Sequence, residues 1–70
     1  MDFSEALKLL KQGATLRREN WSENKRIELI HDKNSDSFLL YIRIITKDNK
    51  ICIYTATNCD ILADDWILLE

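Results

Sequence analysis

The segment LRRENW, residues 16–21, places two arginines a short step before one of the two tryptophans of this 70-residue chain. A guanidinium presents a planar fork of N–H donors that suits phosphate oxygens, and stacking of a nucleobase on an aromatic ring contributes about 1–3 kcal/mol. Arg18 and Trp21 therefore have the chemistry that a phosphorylated purine needs. The alternative is structural: Trp21 anchors the core or a loop, and a basic strand happens to precede it.

The segment YTATNCD, residues 54–60, carries a second set of aromatic and polar groups. Tyr54 offers another ring, and the carboxylate of Asp60 can accept hydrogen bonds from ribose hydroxyls. Thr57 and Asp60 have capping-box spacing, so Thr57 and Asn58 should open a short helix that offers free backbone N–H groups. A structural interpretation also fits, because neither a carboxylate in a capped turn nor an interface tyrosine needs a ligand.

The sequence does not assemble the side chains that catalysis or a metal site requires. Cys52 and Cys59 have His31 as their sole imidazole partner, which is fewer ligands than a closed zinc site takes. We interpret both thiols as small buried hydrophobes in a reducing compartment, and His31 as structural. Asp64 and Asp65 are consecutive and are interpreted as a solvated turn. With no glycine-rich phosphate loop, we expect no enzymatic activity, metal or cofactor.

Composition narrows the class of protein further. A hydrophobic content of 46% with 31% charged residues is typical of a globular domain, and a net charge of −2 provides no basic field for direct nucleic-acid binding. No apolar run reaches the roughly 18–20 residues that span a bilayer. Acids and lysines also interrupt the N-terminal segment where a secretory signal would be apolar. We therefore predict a cytoplasmic protein with no membrane partner.

Hydrophobic periodicity predicts the element order α-β-β-β-β-α-β. Apolar residues at helical spacing indicate a first helix that begins near Asp2 and stops at Gly13, the single glycine. Alternating or β-branched runs indicate strands at residues 14–18, 26–32, 38–46, 51–55 and 65–70. The remaining segments are predicted turns at residues 19–25, 33–37 and 47–50, and a short helix at residues 58–63.

This order predicts an α+β fold formed by residues 1–70 as a single domain. The N-terminal helix should pack on one face of a mostly antiparallel five-stranded sheet, with a short helical turn before the last strand. We expect the run at residues 38–46 to be the central strand, covered on both faces. Trp66 should lie in the core, Arg18 should share the apolar side of its strand, and Arg17 should be a solvated charge.

We expect self-association to stabilise this chain, because its hydrophobic core should be small. A chain of this length buries only about 60% of its extended surface, and disulfide and metal supports are missing from the sequence. Leu39, Ile45 and Leu69 fall on the sheet face away from the helix, which would then be too apolar for open water. We predict that a second subunit covers this face, giving a symmetric dimer or a dimer of dimers.

The segments MDFSEALKLLKQG, LRRENW and YTATNCDILADDW occur in an order that resembles a phage and prophage family of small proteins. That family includes the second-described Thoeris anti-defence proteins. The resemblance covers the N-terminal 21 residues and roughly the last 17. It implies a homo-oligomeric sponge that captures cyclic ADP-ribose-type signals, and in some members cyclic dinucleotides. Another relative is described as an anti-CRISPR, so the alternative function is a protein-binding inhibitor of a bacterial defence nuclease.

The resemblance also implies which residues bind the ligand. The positions that match the family's motifs are Arg18, Trp21, Tyr54, Thr57, Asn58 and Asp60. Many relatives carry a tryptophan where Tyr54 stands, a proline near Ala56 and a longer insertion between the central strands, so the pocket walls should differ here. A sponge needs nanomolar capture, about −12 kcal/mol, and a pocket walled by two subunits would enclose more of the ligand.

Overall fold

The computed structural model describes residues 1–32 and 39–69. The elements in chain order are α1 (Phe3–Lys11), β1 (Thr15–Arg18), β2 (Arg26–Asp32), β3 (Leu39–Ile45), β4 (Ile51–Ile53), α2 (Asn58–Ile61) and β5 (Trp66–Leu68). The strands form one antiparallel sheet in the order β4-β3-β2-β1-β5. The predicted α+β fold is confirmed: an N-terminal helix, a five-stranded antiparallel sheet and a short helix before the last strand. The predicted turn at residues 33–37 lies outside the described residues.

Helix α1 begins and ends where its sequence predicts. The side chain of Asp2 accepts a hydrogen bond from the backbone N–H of Glu5 at 2.9 Å, which satisfies a free donor of the first turn. Lys8 and Lys11 lie in the last turn, where they offset the negative end of the helix dipole. Gly13 then takes a φ of 96°, a left-handed conformation that stops the helix and favours glycine.

The core lies between α1 and the side of the sheet formed by β1, β2 and β5. Ala6 and Leu10 of the helix pack with Leu16, Ile27 and Trp66, and all five residues are buried. Paired residues of antiparallel strands share a face, and Leu16 is paired with Ile27 in the register of β1 and β2. The prediction that Trp66 is a core residue is therefore confirmed.

The apolar run at residues 38–46 was predicted to be the central strand of the sheet and to be covered on both faces. Both parts of this prediction were wrong. Strand β2 is the centre of the sheet, while β3 lies between β2 and the edge strand β4. In the single chain Leu40 remains 57% exposed and Tyr41 38% exposed. The reason is size: a helix of nine residues is about 14 Å long, and five strands span about 19 Å. Helix α1 packs on β1, β2 and β5, which leaves much of β3 and β4 uncovered.

Two further expectations about burial also fail. Cys52 and Cys59 are free and exposed. Cys52 lies in the edge strand β4, and Cys59 lies on the solvent-facing side of α2, which is a single turn. Ile45, assigned to the face that a partner should cover, is only 7% exposed within the chain itself. Ile45 therefore does not call for a partner, whereas Leu69 on the same face remains exposed.

Truncation of Leu10 tests the position of the core. Leu10→Ala removes fully buried atoms between α1 and the sheet, so we expect the free energy of unfolding to fall by about 2–5 kcal/mol in urea denaturation. The matched control is Leu62→Ala, because Leu62 is 83% exposed and its truncation should change stability by no more than about 0.5 kcal/mol. Equal effects of the two truncations would contradict this assignment of the core.

Candidate functional site

Arg18 stands at the end of β1, opposite Trp66 in the register with β5. Its Nε and Nη2 donate to the two carboxylate oxygens of Asp65 at 2.9 and 3.3 Å, a bidentate pair. Its Nη1 donates to Oδ1 of Asp60 at 3.1 Å. The Arg18 side chain, 18% exposed, is thus on the apolar side of β1 as predicted and is held by two carboxylates.

Asp60 is the buried acid of this group, with only 9% of its surface exposed. Its Oδ2 accepts a hydrogen bond of 2.6 Å from the Tyr54 hydroxyl, while Oδ1 accepts from Arg18. The hydroxyl of Thr57 accepts from the backbone N–H of Asp60 at 3.2 Å, as the capping-box spacing predicts. The indole N–H of Trp66 donates to the Asp60 carbonyl at 3.0 Å. The main chain and side chain of Asp60 are both satisfied.

An aromatic group packs beside this acid. The ring of Trp21 meets Trp66 with centroids 5.4 Å apart and Tyr54 with centroids 6.3 Å apart, both in edge-to-face geometry. The ammonium of Lys25 lies 4.6 Å from the centroid of the Trp21 ring, a cation–π contact. Trp21 is partly buried and packs against the core cluster, as the structural interpretation predicts, and its role in ligand binding stays a prediction.

Arg17 was predicted to be a solvated charge, but it is partly buried and its guanidinium is hydrogen-bonded to the backbone. Its Nη1 donates to the backbone carbonyl oxygens of Arg18, Glu19 and Trp21 at 3.1, 3.3 and 3.2 Å. Arginine has the donors to bind several carbonyls at once, and a loop that turns after β1 leaves those carbonyls without strand partners. Arg17 therefore fixes the backbone that carries Trp21.

The hydrogen bonds set the protonation states of the acidic group. Hydrogen bonds from Arg18 hold the pKa of the Asp65 carboxyl below its ordinary value. For Asp60, burial alone would raise the pKa, but the bonds donated by Tyr54 and Arg18 outweigh burial and the net shift is downward. Burial, and then donation to Asp60, raise the pKa of the Tyr54 phenol. At neutral pH two carboxylates therefore face one guanidinium and a neutral phenol.

An open cavity of about 640 Å³ lies next to the acidic and aromatic group. It is lined by aliphatic, aromatic and basic residues: Leu7, Lys11, Leu29, His31, Leu40, Tyr41, Ile42, Ile53 and Tyr54. The volume is in the range of small-molecule pockets, about 300–1,000 Å³. Tyr54 belongs to both places, since it also bonds to Asp60. The cavity occupies the part of the sheet that α1 is too short to cover.

The structure brings most of the six predicted residues together. Hydrogen bonds join Arg18, Tyr54, Thr57 and Asp60, and Trp21 packs on Tyr54. Asn58 is apart from this group, exposed at the first position of α2. Of the six, Tyr54 is the residue that lines the cavity.

Two residues of the site were missed from the sequence. Asp65 was assigned to a solvated turn, yet it is the bidentate partner of Arg18. A signal was present, because an arginine on the apolar side of a strand needs an acidic partner to compensate its burial. Lys25 over Trp21 had no signal, since their contact depends on how the loop between β1 and β2 folds.

The described residues 1–32 and 39–69 contain no cluster of three or more histidine, cysteine, aspartate or glutamate side chains that could hold a metal ion. Within those same ranges, no helix has both the length and the apolar character needed to cross a membrane.

A short helix on an open antiparallel sheet, with an acidic and aromatic group beside a cavity, defines a class of small α+β domain suited to binding a small molecule. A family model of the Thoeris anti-defense 2-like domain matches residues 1–69. One relative, Thoeris anti-defense 2 of Bacillus phage SP01, is 35% identical to this chain over an alignment 87 positions long. The alignment covers 100% of this chain and 96% of the relative. The chain therefore belongs to the Thoeris anti-defense 2-like family, which confirms the resemblance and supports a phage anti-defence role.

The acid sensitivity of folding tests the ion pairs. The pKa values of Asp60 and Asp65 are lower in the folded chain than in the unfolded chain. Their ionised forms therefore stabilise the fold above pH about 4, the ordinary pKa of aspartate. This stabilisation is lost as the pH falls through the pKa values of the folded state. We expect Arg18→Gln to reduce the loss of stability between about pH 5 and pH 2 in urea denaturation. Lys47→Gln, in an exposed turn, is the charge-matched control. The same acid dependence in wild type and Arg18→Gln would contradict the assigned pairs.

The Tyr54 hydroxyl provides a second test of the same group. Tyr54→Phe keeps the ring that lines the cavity and removes the donor to Asp60, leaving one acceptor of a buried carboxylate without that partner. We expect a loss of about 1.5–3 kcal/mol in the free energy of unfolding at pH 7, as for other hydrogen bonds to charged groups. An unchanged stability would show that this bond contributes nothing in solution.

Proposed function

We propose that this protein binds a cyclic nucleotide signal of a bacterial immune system and sequesters it without chemical conversion. The ligand is a cyclic ADP-ribose isomer or a cyclic dinucleotide, and capture starves the immune effector of its activator. Family membership supports the anti-defence role. The observation that carries the molecular part is the position of Tyr54, which joins a cavity of ligand size to a hydrogen-bonded acidic group.

The chemistry on the two sides of Tyr54 suits the parts of such a ligand. The aliphatic and aromatic lining of the cavity offers a surface for a purine, and stacking on an aromatic ring contributes about 1–3 kcal/mol. Carboxylate oxygens of Asp60 remain able to accept from ribose hydroxyls, because each oxygen has more than one acceptor site. The proposed site comprises the residues predicted from the sequence, some in contact with the ligand and others positioning those that are: Arg18, Trp21, Tyr54, Thr57, Asn58 and Asp60.

We also propose that a second copy of the chain completes the site. The cavity is open to solvent, and Ile51 and Ile53 of the edge strand β4 are 60% and 75% exposed. A single open wall encloses too little of a ligand for nanomolar capture, whereas a symmetric dimer or dimer of dimers would enclose more of it. The assembly would act in the cytoplasm of the infected or lysogenic host, where the signal is made.

A ligand-capture experiment tests the proposal directly. Purified protein is incubated with cyclic ADP-ribose isomers and cyclic dinucleotides, freed of unbound ligand by filtration, heated, and the released compounds are identified by mass spectrometry. We expect one ligand to be released intact. Trp21→Ala should lower its affinity by about tenfold or more, because Trp21 packs edge-to-face on Tyr54 and supports the cavity wall on which the purine is proposed to stack. Trp21→Phe, which keeps a ring, is the matched control, and both variants are checked for folding by circular dichroism.

The outcomes separate the candidate functions. If no compound of the panel is retained, or if one is released in altered form, sequestration is wrong. Capture of a defence nuclease in a pull-down, lost on charge reversal of Asp64 and Asp65 and unaffected by Trp21→Ala, would instead favour a protein-binding inhibitor. Neutralisation of Asp65 by Arg18 already weakens that alternative, because it removes one acid from the segment that would mimic nucleic acid.

A further inference from the structure

Basic side chains line the cavity on one side of Tyr54, and carboxylates lie on the other side. This arrangement favours the cavity side for the phosphates of the ligand. We infer that Lys11 and His31, at the rim of the cavity, meet the phosphates, and that Arg18 is a positioning residue that holds Asp60 and Asp65. The inference rests on the proposed function and deepens it. It changes the role that the sequence suggested for Arg18.

Arg18 is poorly placed to bind a phosphate. Three of its nitrogen atoms already donate to carboxylate oxygens at 2.9–3.3 Å, and the group of Arg18, Asp60 and Asp65 carries one net negative charge. A phosphate that took over the guanidinium would leave the buried Asp60 without its cationic partner and would face two carboxylates. Removing one partner of a buried ion pair is strongly unfavourable, so a phosphate is repelled from this position.

The cavity has the opposite electrostatic character. Its lining contains Lys11 and His31 as basic groups and, among the described residues, no carboxylate. Lys11 lies in the last turn of α1, and His31 lies on β2 two residues after Leu29, hence on the same face of the sheet. Walls of low polarity strengthen the field of a nearby cation, so this rim attracts anions while the aliphatic lining accepts an apolar or aromatic body.

Within residues 1–32 and 39–69, the other basic side chains are not part of the cavity lining. Lys25 lies over the Trp21 ring, and Arg43 pairs with Glu28 across β2 and β3. Lys8 shares the last turn of α1 with Lys11 but is not part of the cavity lining. Lys8 is therefore a matched control for Lys11, because it is an exposed lysine of the same helical turn that does not line the cavity.

The first experiment measures affinity for the captured cyclic nucleotide by calorimetry at several salt concentrations. We expect Lys11→Glu to raise the Kd by about tenfold or more and to lower the dependence of log Kd on log salt, because an ionic contact to phosphate is lost. Lys8→Glu should stay within about twofold of wild type. The inference is overturned if Lys11→Glu and Lys8→Glu behave alike, or if Arg18→Gln, rather than Lys11→Glu, removes the salt dependence.

The second experiment remains informative if the panel contains no captured ligand. Isotope-labelled wild-type protein is titrated with adenosine 5′-monophosphate and, separately, with uncharged adenosine, and backbone amide shifts are followed by NMR. We expect the nucleotide to move the amides of Lys11 and His31 more than adenosine does, and Lys11→Glu to abolish the difference. Shifts centred on Arg18 and Asp65, or none at millimolar nucleotide, would overturn the inference. Failure to retain any cyclic nucleotide would instead remove the proposed function.

Discussion

The buried carboxylate of Asp60 is the constraint on which this end of the molecule depends. A buried acid is tolerated only when donors surround it, and here Arg18 and Tyr54 bind its two oxygens. The same residue binds Thr57 and Trp66 through its main chain. One aspartate thereby connects β1, through Arg18 at a distance of 42 residues in the sequence, to the neighbouring segment that holds Tyr54, α2 and β5.

The packed structure of this domain extends beyond a thin core. Helix α1 is too small to cover the sheet, and the core it forms with β1, β2 and β5 is thin. Trp21 packs on the core residue Trp66 and on Tyr54, so these rings, together with the hydrogen-bonded Asp60, extend the packed structure beyond that core. The uncovered part of the sheet is then free to form the cavity. In this account, fold stability and ligand binding meet at Tyr54, whose ring lines the cavity and whose hydroxyl binds Asp60.

Local sequence signals predicted where helices and strands begin and end better than they predicted which side chains are buried. The caps at Asp2 and Thr57 and the stop at Gly13 depend on a few neighbouring residues, so they could be read directly. Burial depends on which strands lie at the edge of the sheet and on how far a helix reaches. For this reason the exposure of Cys52 and Cys59 was not foreseen.

The candidate site shows the same limit. Capping-box spacing linked Thr57 to Asp60, and alternation placed Arg18 on the apolar side of β1. Asp65 escaped notice because consecutive acids suggest a turn, and only the pairing of β1 with β5 shows that its carboxylate reaches Arg18. The cavity could not be foreseen at all, since it results from a mismatch in size between α1 and the sheet.

The most direct test of the central claim is an experimental structure of the protein with its captured cyclic nucleotide. We expect Arg18 to remain bound to Asp60 and Asp65, the purine to lie against Tyr54, and the phosphates to lie within hydrogen-bond distance of Lys11 and His31. A ligand phosphate on the Arg18 guanidinium, with Asp65 displaced, would contradict this claim.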